Sequence, residues 1–217
     1  TSVVLPDGVQ TIGSNAFSGC SALTSAVLPD GVQTIGNNAF SGCSSLKKLN
    51  IPATVTSIGS GAFSGTAIET VGPTGGSYDC EYGWTDKILP NGFQDAANIQ
   101  EVTIADGITE IGYGAFYNCT KLEKAQFGKD VQTIGSNAFR YCSALTSAAL
   151  PNGVQTIGNN AFSGCSSLKK LNIPATVTSI GGGVFSGTAI ETVGPAGGGY
   201  DCEYGWTDKI LPYSFQD

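Results

Sequence analysis

Apolar residues recur along this chain with a long period. Leu46, Leu49, Ile51, Val55, Ile58, Ala62 and Phe63 are interspersed with polar or small residues, and Leu23, Ala26, Leu28, Val32, Ile35, Ala39 and Phe40 repeat the order 23 positions earlier. Leu49-Asn50-Ile51 alternates as a half-buried strand does. Pro52 has no amide hydrogen to give a ladder and so ends that strand. The β-branched Val55 and Ile58 predict a second, short extended stretch. Gly59 permits a tight turn, and the residues leading to Phe63 predict one helical or 3-10 turn.

The phenylalanines count the units. Phe17, Phe40 and Phe63 stand 23 residues apart, a 30-residue step leads to Phe93, and Phe116, Phe139, Phe162 and Phe185 follow at 23 before a second 30-residue step reaches Phe215. Nine anchors predict about nine turns, the outer ones incomplete. One repeat carries too few apolar side chains to offset the entropy of ordering it, so the units must stack and share their faces. A larger duplication overlies the small one. Residues 9–95 recur as 131–217 with about ten differences, among them Ser18/Arg140, Gly19/Tyr141 and Val27/Ala149. The chain therefore reads as a single repeat domain, 1–217, that starts and stops in mid-repeat as a piece of a longer array would. Inserts at 70–87 and 192–209 lengthen the fourth and ninth turns.

Composition narrows the function. With 41% hydrophobic residues the chain can bury a core, and disorder is excluded. A net charge of −7 with no basic stripe argues against nucleic acid and against adsorption to anionic lipid. No apolar run approaches the roughly 18 residues that would span a bilayer, so no membrane insertion is expected. Histidine is absent, which removes Ser-His-Asp and Cys-His catalysis. Without histidine, and with no Cys-x-x-Cys pair, zinc has no ready ligand set. The Gly72–Gly76 stretch lacks the Lys-Ser/Thr of a phosphate loop. No catalytic residues, cofactor or metal are expected, and no enzyme. Cys20, Cys43, Cys119, Cys142 and Cys165 each follow a phenylalanine by three residues, while Cys80 and Cys202 occupy equivalent points of the inserts. Side chains at one phase of a stack point the same way and meet disulfide geometry poorly. They read as buried thiols acting as small hydrophobes.

The unit Leu-x-x-Leu-x-Ile-Pro-x-x-Val-x-x-Ile-Gly-x-x-Ala-Phe-x-x-Cys resembles the BspA-like class of leucine-rich repeats, over nearly the whole chain outside the inserts. It departs from the better-known leucine-rich pattern in lacking an Asn soon after the strand. Thr54 and Gly31 fall near that place, so no Asn ladder is expected. The resemblance implies an α/β repeat solenoid, right-handed, with a parallel β-sheet along one side. It also implies an extracellular bacterial protein, surface-anchored or secreted, with links to adhesion and protein binding and no catalytic residues to carry over.

Two places offer a ligand surface. If Leu49 and Ile51 face inward, Lys48 and Asn50 face outward. Their equivalents are Ser25/Val27, Glu101/Thr103, Lys124/Gln126, Ser147/Ala149 and Lys170/Asn172. This row is either a solvated face or a broad protein-binding surface. In the first insert Tyr78, Cys80, Tyr82 and Trp84 alternate with Asp79 and Glu81, and Tyr200, Cys202, Tyr204 and Trp206 repeat the arrangement. That pattern gives a strand with one aromatic face. The aromatic face either packs on the solenoid flank or forms a platform for sugar or peptide. Asp79, Glu81 and Asp86 match no calcium-loop spacing. The function expected is non-catalytic binding of a host or neighbouring bacterial protein. The alternatives are a carbohydrate-binding array using the inserts and a passive spacer for another domain. Open terminal turns would also allow end-to-end self-association.

Overall fold

The computed structural model describes residues 1–52, 54–55, 57–68, 70–71, 88–89, 91–104 and 106–190. Each turn of the chain contributes one strand to each of two parallel ladders. On the first side Ser2–Val4, Ser25–Val27 and Lys48–Asn50 pair in one sheet, and Thr70–Val71, Glu101–Thr103, Lys124–Gln126, Ser147–Ala149 and Lys170–Asn172 in another. On the second side run the two-residue strands Thr11–Ile12, Thr34–Ile35 and Ser57–Ile58, then Ile88–Leu89, Glu110–Ile111, Thr133–Ile134, Thr156–Ile157 and Ser179–Ile180. Ala26 lies opposite Leu49 and Ile35 opposite Ile58, so each residue pairs with its own repeat-mate. Val55 precedes the second strand and sits in a turn closed by its amide on the Pro52 carbonyl at 3.1 Å.

The third side is a ladder without strands. The Phe40 amide donates to the Ala62 carbonyl of the next turn at 2.8 Å, as Phe116 does to Ala138 and Phe139 to Ala161. The amides two residues to either side do the same, Asn38 to Ser60 and Gly42 to Ser64. Helical turns were expected here. Among the described residues there is no α-helix, and the only 3-10 segment is Asn91–Phe93. Backbone handedness is the reason. The residue two before the phenylalanine is left-handed at Asn15, Asn38, Gly61, Gly114, Asn137, Asn160 and Gly183, and so is the residue two after it, from Gly19 to Gly187. A right-handed helix cannot run through two such residues four apart. The exception is the Phe93 turn, where Asn91–Phe93 is a 3-10 segment.

The phenylalanines form the spine of the core. Phe40, Phe63, Phe93, Phe116, Phe139 and Phe162 are fully buried. Successive rings lie 5.1 to 6.0 Å apart from Phe17 to Phe162, with Phe139 and Phe162 only 3° from parallel. The stack continues across the lengthened fourth turn, where Phe63 and Phe93 approach to 5.2 Å and the Phe63 amide reaches the Gly92 carbonyl at 2.9 Å. The fold is thus a parallel β-solenoid with little helix, of about seven turns in the described residues, where the sequence predicts nine; Phe215 lies outside them.

Packing at two further phases is set by the preceding turn's backbone. A Cβ on Gly158 would stand 2.5 Å from the Ser136 amide nitrogen, and one on Gly36 equally close to that of Ser14, so only glycine fits the Ile-Gly step. Cys43, Cys119, Cys142 and Cys165 are free and buried. Each thiol donates to the carbonyl of the preceding phenylalanine but one, as Cys142 does to Phe116 at 3.1 Å. The expectation of burial fails for Cys20, which is exposed. It lies in the first described turn, whereas each of the other four thiols packs on the turn before its own. Cys80 and Cys202 lie outside the described residues.

Candidate functional site

The first ladder arranges its outward side chains in two columns. Its register aligns Glu101, Lys124, Ser147 and Lys170 in one and Thr103, Gln126, Ala149 and Asn172 in the other. All eight are exposed, while the intervening Val102, Ala125, Ala148 and Leu171 are buried. Lys48 and Asn50 hold the same backbone positions in their strand. Ser25 is half-buried and Val27 is 48% exposed. Lys124 and Glu101 pair at 3.4 Å with both side chains more than half in solvent, an ion pair too screened to fix the surface.

Polar side chains hold the corners between the ladders. Thr54 donates its hydroxyl to the Val32 carbonyl of the previous turn at 2.7 Å, and Thr176 does the same to Val154. Asp106 accepts the Lys129 amide at 3.0 Å and pairs with its ammonium at 3.3 Å. The bond from the Lys129 backbone, then that from its side chain, holds the Asp106 carboxyl below its ordinary range. The insert residues Tyr78, Tyr82, Trp84, Tyr200, Tyr204 and Trp206, with Asp79, Glu81 and Asp86, lie outside the described residues.

The third ladder carries a cluster that the sequence pattern did not single out. Tyr117 and Tyr141 meet edge to face with centroids 5.6 Å apart. The Arg140 guanidinium sits 4.7 Å from the centre of the Tyr141 ring, donates to the Tyr141 hydroxyl at 2.9 Å, and reaches the Asn137 side-chain oxygen at 3.4 Å. Tyr113, three residues before Phe116, is 64% exposed. Two of these residues, Arg140 and Tyr141, are among the differences between the duplicated halves, where the first copy has Ser18 and Gly19. That difference was the available signal.

Burial pushes the Cys165 thiol up to about 12, Cys119 higher still, and Cys142 well above the ordinary 9.0, so these sulfurs stay protonated and poorly nucleophilic at neutral pH. Among the described residues no group of three His, Cys, Asp or Glu is placed to hold a metal ion.

Comparison with known proteins supplies the context. The BspA type leucine rich repeat region matches in six copies over residues 1–75 and 86–195. A leucine-rich repeat protein from Bacteroides ovatus is 26% identical with a TM-score of 0.58, over 84% of this chain and 51% of its own. A leucine rich cell surface protein from Faecalibacterium prausnitzii is 29% identical, TM-score 0.54, over 88% and 58%. The T. pallidum leucine rich repeat protein is 30% identical, TM-score 0.57, over 86% and 75%. The chain spans little more than half the length of the first two. No curated protein matches its sequence.

Proposed function

The chain belongs to the BspA-type leucine-rich repeat family, and on that premise we propose that it is a non-catalytic protein-binding module, displayed on a bacterial surface or secreted. The observation that carries the reading is the pair of columns on the first ladder. Eight outward side chains of mixed chemistry stand in fixed register on a rigid parallel sheet. Rigid placement lowers the ordering cost of an interface, and the array form lets contact area grow turn by turn. The cell-surface description of the Faecalibacterium protein supports the proposed location.

The test measures binding of the whole chain to a panel of purified host extracellular proteins by surface plasmon resonance, with a glycan array alongside. Protein binding that falls tenfold or more in a Lys124→Glu/Lys170→Glu variant of unchanged melting temperature supports the reading. Glycan binding that disappears with Trp84→Ala and Trp206→Ala at unchanged stability would establish the carbohydrate-binding alternative, which the alternating aromatics of the inserts favour. Silence on both panels would leave the chain a spacer.

A further inference from the structure

We propose that the ridge formed by Tyr117, Arg140 and Tyr141 is a second binding site, separate from the sheet columns, and that it takes an acidic peptide segment of a partner protein through an Asp or Glu carboxylate. It lies on the third ladder, between the second-side strand Thr133–Ile134 and the first-side strand Ser147–Ala149. Arg140 is the chain's one arginine, and the three tyrosines of the described residues, Tyr113, Tyr117 and Tyr141, accompany it within two consecutive turns. The other turns carry mostly serine and glycine at the phases of Tyr117, Arg140 and Tyr141. Tyrosine and arginine are the side chains that most often anchor protein interfaces.

Tyr141 is held against its backbone preference. Its φ is +64°, at a phase where Gly19, Gly42, Gly65, Gly164 and Gly187 also have positive φ. A bulky L residue is disfavoured there, and Tyr141 is still 40% exposed, so burial returns little for the strain. The ring is seated firmly all the same. It lies over Gly164 of the next turn, where a Cβ would stand 2.5 Å from its Cδ1, and Tyr117 braces its other side. An exposed aromatic kept rigid in a strained conformation points to function.

The electrostatics select the ligand. Among the described residues the ion pairs are Lys124–Glu101 and Lys129–Asp106, and no carboxylate pairs with Arg140. The nearby Asp95 accepts the Asn118 side-chain amide at 2.8 Å, within its own column. Arg140 has five donors. Tyr141 and Asn137 take two, while Nε is buried without a partner. The remaining donors suit a planar carboxylate. One arginine on a chain of net charge −7 cannot hold an extended polyanion, which favours a short acidic segment. The surrounding Asn118, Asn137 and Gly164 are of the small polar kinds that protein-recognising loops combine with tyrosine.

The duplication provides the control variant. Arg140→Ser/Tyr141→Gly restores the residues of the first copy, which the fold already accommodates. A displayed random-peptide library is panned on the whole chain and on this variant, and enriched peptides are titrated calorimetrically with tetragalacturonate as an acidic-sugar control. The expected result is enrichment of Asp- or Glu-containing peptides whose affinity falls tenfold or more in the variant, with a melting temperature equal to or above that of the parent. Arg140→Lys loses most of that affinity, and Lys124→Glu/Lys170→Glu none. Equal enrichment on parent and variant, enrichment without acidic residues, or binding confined to tetragalacturonate would overturn the proposal. Loss in the Lys124/Lys170 variant alone would overturn it while supporting the sheet-column reading.

Discussion

The buried cysteines give the chain thiols that the folded state keeps from reacting. Cys142 is buried between turns, and burial, together with the neighbouring Cys119 and Cys165, holds its thiol well above the ordinary 9.0. Ellman's reagent on the native protein should therefore label Cys20 within seconds and leave Cys119, Cys142 and Cys165 untouched until denaturant is added, as peptide mapping would reveal. The same burial predicts an alkaline weakness. A thiol raised from 9.0 to about 12, as Cys165 is, stays protonated when folded while the unfolded chain ionises. Its contribution is complete below pH 9 and is lost as pH climbs towards 12. The melting temperature of Cys165→Ala should accordingly fall less steeply across that window than the parent's; parallel slopes would refute the assignment. Gly158 has the opposite vulnerability. Its missing Cβ makes room for the Ser136 backbone, so Gly158→Ala should cost about 1–3 kcal/mol by overpacking in urea denaturation.

At the scale of the element, the phenylalanine ladder is the part most exposed to single changes. Phe139 stacks on Phe116 at 5.3 Å and Phe162 at 5.4 Å and meets the edge of Phe127 at 5.7 Å. Phe139→Ala removes all three contacts in a fully buried position and should cost about 3–5 kcal/mol. Phe17→Ala, at a half-buried ring stacked on one side only, should cost less than half as much by the same denaturant measurement. The spine was legible in the sequence because a large apolar residue at a fixed period leaves few other fates. The two strands were legible for the same reason, since Leu49 and Ile58 mark faces that must be covered. The helical or 3-10 turn that the sequence predicts on the third side occurs only at Asn91–Phe93 among the described residues, because hydropathy carries no handedness; the Asn or Gly two before most of the spine phenylalanines is the one hint of left-handed backbone. Arg140 and Tyr141 were visible as departures from Ser18 and Gly19, but their meaning needed the distance between adjacent turns, which no linear spacing supplies. The insert aromatics remain a sequence argument.

Over the whole molecule, stability is a sum over neighbours. Each turn touches the one before and the one after: Cys142 reaches back to Phe116, Phe139 forward to Ala161, and Lys124 pairs with Glu101 and Ser147. Nothing in such an array marks a particular turn as indispensable. Removing residues 147–169 joins Thr146 directly to Lys170, and the strand Lys170–Asn172 then takes the place of Ser147–Ala149 beside Lys124–Gln126. The 23-residue deletion should fold, keep its far-ultraviolet spectrum per residue, and lose denaturant sensitivity in proportion to the surface removed. Deleting one residue fewer, 148–169, places Ser147 ahead of Lys170 and shifts every later side chain by one position. Leu171 and Ile173 would then face solvent, because a strand slipped by one residue turns its buried face outward. That variant should melt far lower or fail to fold. Equal stability of the two deletions would mean that the turns are not held in register by their neighbours, and the parallel stack would lose its physical basis.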